Sequence, residues 1–383
     1  MKDLAFRGYK WQDHVSIGNR ISSMEPFLTS IRWEKLCSHA SSLNNDKPCT
    51  LDPQIVRGGR NLVRILEFAD GARWMARLEV DCMKLVRELT SVPVPEIYGH
   101  NASADLIGAP FILMEALYGN VAVDMDGSLI PNEQKFLFYS SLARYQAEIS
   151  SITFPKIGSI IQGPNGTYDV GPLPKLGGPF ATTTKYLKAW AKHARFYGGT
   201  DGLKESCGPY GDEILQRVLA FPQKISELTG KIALRENGPF PLIHPDFFHS
   251  NIIADDNWKP LGVIDWEYAQ SAPWETVEFP LTFSLCPRPM DALWNYDENG
   301  VATDEDLRLV IKEREEYVDM VRRFERREGK LPQLSDVLGD PPIQDLATAM
   351  RYFTKVGKQG FYINIFNAHI KRWGMKSTES DLT

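Results

Sequence analysis

The segment from Pro241 to Glu267 concentrates the chemically informative residues of the chain. Two short apolar runs, 251–254 and 261–264, flank a polar turn over 255–260. Folded as an antiparallel hairpin, the start of the first run meets the end of the second. Asn251 and Asp265 then face each other at the open end. Two hard oxygen donors with few others nearby suit Mg2+, which keeps several waters and completes its shell from nucleotide phosphates. Asp246 stands five residues before Asn251, on the loop entering the hairpin. A carboxylate there lies beside the metal without ligating it, a position suited to a base that accepts a hydroxyl proton during phosphoryl transfer. The competing reading of the same residues is a polar loop held by structural Asx turns.

Such a hairpin needs elements to hold it. Residues 51–117 read as strands: 62–68 runs to a turn at Asp70 and Gly71 and continues over 73–78, and Asp-Gly between two such runs signals a hairpin. A short helix fits 81–89, ended by Pro93 and Pro95. Phe111, Ile112, Leu113 and Met114 form another strand, running into Glu115, Ala116 and Leu117. Beyond that the chain turns helical. Asn132 would cap a helix with apolar positions at Phe136, Tyr139 and Leu142. The runs 157–161 and 168–173 flank a Gly- and Pro-rich turn and suggest a surface hairpin. Thr303 would cap the clearest helix, 304–327, whose buried stripe is Leu307, Val310, Ile311, Val318 and Val321. Strands first and helices after predict an α+β chain with a small antiparallel-sheet lobe and a larger, mostly helical lobe. The expected divisions are an N-terminal extension over 1–50, the sheet lobe over 51–117 and the helical lobe over 118–383. Within the extension Ser22, Glu25 and Pro26 make a capping-box pattern ahead of Leu28, Ile31 and Leu36.

His244, Asp246 and Asn251, followed by Ile264, Asp265, Trp266 and Glu267, resemble the paired motifs of the aminoglycoside phosphotransferase and choline kinase family. That family has the bilobal protein-kinase-like fold. The resemblance extends over most of residues 54–285. Gly58, Gly59 and Asn61, with Arg60 between, resemble the nucleotide loop, and Met75, Ala76, Arg77 and Leu78 the third strand. Arg77 then stands where a basic residue holds phosphates, and a guanidinium pairs phosphate bidentately while staying charged. The stretches 90–95 and 112–115 resemble the approach to the fourth strand and the hinge, which puts Met114, Glu115 and Leu117 beside the adenine. Residues 155–159 resemble a stretch of fungal members.

The resemblance implies an ATP- and Mg2+-dependent phosphotransferase acting on a hydroxyl of a small molecule. Asp246 is then the catalytic base, and Asn251 and Asp265 are the metal ligands. His244 braces the loop, His249 fills it, Glu267 anchors the second strand, and Pro245 stiffens a position that is often glycine in the family. One departure stands out. Glu79 matches the residue that pairs with the phosphate-holding base, yet only Leu78 separates it from Arg77, so no loop leads into the helix. A pseudokinase or binding module of the same fold, with weak or no turnover, is therefore the alternative function. A third reading is a metal hydrolase built on His244, Asp246, His249 and Asp265.

Composition narrows the partners. Lys and Arg total 43 against 49 Asp and Glu, a net charge of −6, so no global basic field points to nucleic acid. The longest apolar runs fall far short of the ~20 residues of a membrane span. Five scattered cysteines without a C-x-x-C pattern suit a reducing compartment, and the N-terminal residues lack a hydrophobic signal, so a cytoplasmic location is expected. The acceptor is not legible. Trp266, Trp274, Glu275, Glu278, Asp291, Trp294 and Tyr296 would suit an amine if they converge, and are otherwise core.

Overall fold

Alternating burial organises the first part of the chain. The computed structural model describes residues 29–57, 62–77, 82–101, 103–121, 130–163, 165–331, 333–358 and 361–375. The capping box at Ser22, the loop residues Gly58, Gly59 and Asn61, and the junction residues Leu78 to Asp81 lie outside them. In chain order the first elements are α1 (Trp33–Leu43), β1 (Cys49–Arg57), β2 (Leu62–Phe68), β3 (Arg73–Arg77), α2 (Cys82–Leu89), β4 (Ile97–Asn101), β5 (Phe111–Glu115), β6 (Asn120–Val121) and α3 (Asn132–Ser151). There follow β7 (Thr153–Phe154), β8 (Gly158–Gln162), β9 (Tyr168–Gly171), α4 (Thr183–His193), α5 (Thr200–Cys207), α6 (Gly211–Ile232) and β10 (Phe240–Ile243). The last are β11 (Ile252–Ala254), β12 (Pro260–Val263), β13 (Gln270–Ser271), α7 (Glu305–Arg327), α8 (Gln333–Leu338) and α9 (Pro341–Arg351), with shorter turns after them.

Two compact units result. The first comprises the described residues up to Phe138 together with His249–Glu267. The second comprises Tyr139–Phe248 and the described residues from Tyr268 onward. The hairpin expected within the helical lobe thus belongs to the unit that contains the sheet.

In the first unit a five-stranded antiparallel sheet has the order β1-β2-β3-β5-β4. Period-two alternation puts Leu66, Phe68, Trp74, Ala76, Phe111 and Leu113 on one face, where Leu36 and Ala40 of α1 and Ile107 pack over them. Gly71 makes the β2–β3 turn with φ 82°, a conformation that glycine adopts without steric cost. The β1 register shifts between Leu51 and Ile55, the stretch that holds Pro53, which has no N–H to donate. A second, three-stranded sheet runs β12-β11-β6.

In the second unit a five-stranded sheet, β7-β10-β13-β8-β9, accompanies the helices. The runs predicted as a surface hairpin are its β8 and β9, with Ile160 opposite Val170. α7 buries Tyr317, Val318 and Val321, and Tyr317 donates to Gln146 Oε1 of α3 at 2.8 Å. Three sequence expectations need correction. Ile311 of the expected α7 stripe is exposed. α7 is capped by Asp304, whose carboxylate accepts from Leu307 N at 2.8 Å, rather than by Thr303. α3 begins at Asn132 and buries Tyr139 and Leu142, but Phe136 is 60% exposed.

Candidate functional site

The hairpin closes as its pattern requires. Ile252 pairs with Val263, and the Ile264 N–H donates to the Asn251 carbonyl at 2.9 Å. Asn251 and Asp265 therefore end the two arms within one residue of register. Asn251 closes a tight 3-10 turn from His249, and Asp265 takes a left-handed backbone with φ 66°. Short polar residues tolerate that conformation better than branched ones. Behind the hairpin, β6 pairs with β11, and the Val263 N–H donates to Pro93 O at 2.7 Å. Burial holds the His249 imidazole below its usual pKa.

The side chain that meets Asp265 is Arg77. It ends β3, opposite Ile112 of β5, and is 8% exposed. Its Nη2 donates to Asp265 Oδ1 at 2.5 Å. A charge-assisted bond of that length is strong, and low local polarity strengthens it further. The base predicted to hold phosphates and a carboxylate predicted to hold metal are thus brought into contact. The donor set at this end, an amide oxygen and a carboxylate, consists of hard oxygen ligands and suits Mg2+.

The expected hinge residues lie on the same sheet. Met114 is 2% exposed and sits between Met75 and Ile97. Glu115 exchanges bonds with Glu96, accepting from its N–H at 3.2 Å and donating its own to its carbonyl at 2.8 Å. Leu117 covers Gly262 of β12 so closely that a β-carbon there would lie 2.1 Å from its Cδ1.

Asp246 belongs to the second unit. Its loop leaves β10 through the buried His244, whose carbonyl accepts from Phe247 N at 3.1 Å. Lys355 approaches the carboxylate, with Nζ 3.5 Å from Asp246 Oδ1. Lys355 lies on a π-helical turn, Tyr352–Val356, that continues α9 and ends at a left-handed Gly357. Such wide turns recur at functional sites. Sequence reading did not find Lys355, and no motif spans the 109 residues between the pair.

Of the residues that would have caged an amine, six lie in the second unit. Trp274 and Glu275 are fully buried, and Trp294 is 83% exposed. Glu275 accepts from the N–H groups of Leu234 and Arg235. Glu278 is held by Arg351 Nε at 2.9 and 3.1 Å, and Asp291 by Asn295 and Tyr296. Among the described residues no group of three or more His, Cys, Asp and Glu side chains is placed to hold a metal ion. No helix among them is long and apolar enough to cross a membrane.

Comparison with known proteins agrees with the motifs. A 122-residue stretch is 28% identical to a subtelomeric hrmA-associated cluster protein of Aspergillus fumigatus, covering 28% of this chain and 24% of that protein. The chain thus spans about a quarter of the length of that curated relative. Among solved structures, a Ralstonia eutropha protein assigned to the aminoglycoside phosphotransferases is similar over 90% of this chain and 96% of its own. Its TM-score is 0.50 and its identity 16%, a likeness of fold. A Haemophilus somnus protein assigned as a fructosamine-3-kinase covers 90% of this chain and 98% of its own, with TM-score 0.44 and 13% identity. The sequence model of the phosphotransferase enzyme family matches residues 55–275, more than half of the chain. With its kinase-like sheet and helical portions and the motif from His244 to Glu267, this chain belongs to the phosphotransferase enzyme family.

Proposed function

We propose that the protein is an ATP- and Mg2+-dependent phosphotransferase whose acceptor is a hydroxyl of a small molecule. The observation that carries this reading is the contact of Arg77 with Asp265 at the open end of a hairpin that also presents Asn251. In a phosphotransferase these three are the groups that would hold the triphosphate and its metal: Arg77 by bidentate pairing, Asn251 and Asp265 by oxygen ligation. When bound, the magnesium nucleotide supplies the phosphoryl group that is transferred. Met114, Glu115 and Leu117 are assigned to the adenine side, and Gly58, Gly59 and Asn61 to the phosphate loop.

Asp246 is the base. In transfer its carboxylate would accept the acceptor's hydroxyl proton while the acceptor oxygen displaces the nucleoside diphosphate from the γ-phosphorus. Lys355 approaches the same carboxylate, with Nζ 3.5 Å from Oδ1. The buried His244 and the fixed φ of Pro245 stiffen the loop that carries it.

The test is turnover of MgATP against a broad panel of alcohols, alongside calorimetric binding of MgATP. Asp246→Asn should lower acceptor-dependent transfer by about 10² to 10⁴ and leave nucleotide affinity largely intact. Near-full turnover in that variant would remove Asp246 from the mechanism. Tight MgATP binding without transfer to any alcohol would favour the non-catalytic binding module.

A further inference from the structure

Beside the Asp246 loop the second unit holds an open cleft of about 190 Å³. Tyr186, Trp190, Phe247 and Phe279 supply much of its wall, so it offers an apolar, aromatic body to an occupant. Its charged groups are unequal. Among the described residues Glu278 is the only Asp or Glu in the lining, beside the basic residues Arg351 and Lys355. Glu278 is also fully engaged: Arg351 Nε bonds both of its oxygens, at 2.9 and 3.1 Å, and Thr348 Oγ1 donates at 2.9 Å. Arg351 spends its remaining reach on Ser284 Oγ at 2.9 Å. Lys355 differs. Its side chain is 52% exposed, and among the described residues its ion pair is the 3.5 Å approach to Asp246.

One further donor faces this space. The Tyr186 hydroxyl makes no hydrogen bond among the described residues, although the side chain is 7% exposed. Burial pushes the phenol up to about 12, so it stays a neutral donor at ordinary pH. The charged groups lining the space are thus the Arg351–Glu278 pair and the Lys355 ammonium, with Asp246 3.5 Å from that ammonium. A cationic acceptor would meet Lys355 before Asp246 and would find Glu278 already taken.

On the phosphotransferase reading above, we infer that the acceptor is an alcohol carrying a carboxylate near its reacting hydroxyl, on an apolar body, and that Lys355 is the residue that reads this anion. The ammonium turns from Asp246 to the incoming carboxylate while Asp246 receives the hydroxyl. Tyr186 donates a second hydrogen bond to the acceptor's oxygens. Lys355 therefore determines specificity and does not take the proton.

The experiment uses matched trios that differ only in charge: the para isomers of hydroxymethylbenzoate, hydroxymethylbenzamide and hydroxymethylbenzylamine, and an aliphatic trio built alike. Binding is read by calorimetry and transfer by coupled turnover, on the full chain and on Lys355→Met and Lys355→Glu. The expected order is acid over amide over amine, with the acid favoured about five- to tenfold over the amide. Lys355→Met should bring the acid-to-amide ratio near unity through KM, and Lys355→Glu should favour the amine. Circular dichroism shows whether each variant is folded; the ratio within one variant does not depend on its folded fraction. Preference for the amine, an unchanged ratio in Lys355→Met, or no saturable binding of either acid overturns the inference. Acid binding that depends on Lys355 but gives no transfer supports the anion-reading role of Lys355 and counts against the phosphotransferase reading. Transfer to amines alone does the reverse.

Discussion

At the scale of single residues, Asp265 has two duties that compete. It is the proposed metal ligand, and it is also the counter-charge of Arg77, which is 8% exposed. Breaking a buried ion pair by removing one member typically costs about 3–5 kcal/mol. Asp265 is itself one-third exposed, so roughly 2–3 kcal/mol is the reasonable scale here. Asp265→Ala should therefore lose Mg2+-dependent nucleotide binding and also unfold at lower denaturant concentration. The double variant Arg77→Met/Asp265→Ala should recover most of the stability and none of the binding. Urea titration beside calorimetry checks this; equal instability of the single and double variants would mean the pair is not what holds Arg77.

A second residue carries a pH signature. The Glu275 side chain is fully buried, and burial raises its carboxyl pKa even though two backbone N–H groups bond one of its oxygens. A raised folded-state pKa means that the folded chain binds the proton more tightly than the unfolded one. The associated stability is fully present below the ordinary glutamate pKa of about 4.3 and is lost as pH rises through the raised value. Glu275→Gln should flatten that fall. Denaturation midpoints measured from pH 4 upward would show wild type and variant diverging, and parallel profiles would contradict the assignment.

Local signals carried well at the scale of elements. The hairpin that bears Asn251 and Asp265 was legible because two apolar runs flank an Asp-rich turn, and Ile252 lies opposite Val263, although the register shifts between Ile253 and Ala254. The Asp-Gly turn before Arg73 was legible for the same reason. Cap choice was not: Thr303 and Asp304 are both good caps, and backbone geometry decides between them. Long-range pairs left no trace either. Arg77 meets Asp265 across 188 positions and Lys355 meets Asp246 across 109, distances over which spacing has no meaning. The aromatics and acids that seemed fit for an amine were mostly packing, as Trp274 and Glu275 illustrate.

The hairpin's support yields a prediction of its own. Gly119 precedes β6, and a β-carbon there would stand 2.5 Å from the Ala254 carbonyl oxygen in β11. That contact is with backbone, which cannot rotate aside. Gly119→Ala should push β6 from the hairpin and cost about 1–3 kcal/mol, with weaker nucleotide binding in proportion. Thermal melts with and without MgATP test it; unchanged values in both would show that the β6–β11 approach is not needed.

At the scale of the whole molecule, the first unit is interrupted in sequence. Its sheet strands and α1 come first, yet β11 and β12 follow only after the 110 residues of Tyr139–Phe248. This arrangement has a consequence for the chain as it is made. At roughly 5–20 residues per second, a ribosome needs about 6–22 s to supply that intervening stretch. During that interval Asn120 and Val121 have no β11 to pair with, and the apolar side chains that later cover Ile252 and Val263 face solvent or neighbouring nascent chains. Slow synthesis or heat in that window should favour aggregation of unfinished chains, and the residues thought to hold the nucleotide would be among the last of their unit to find their places.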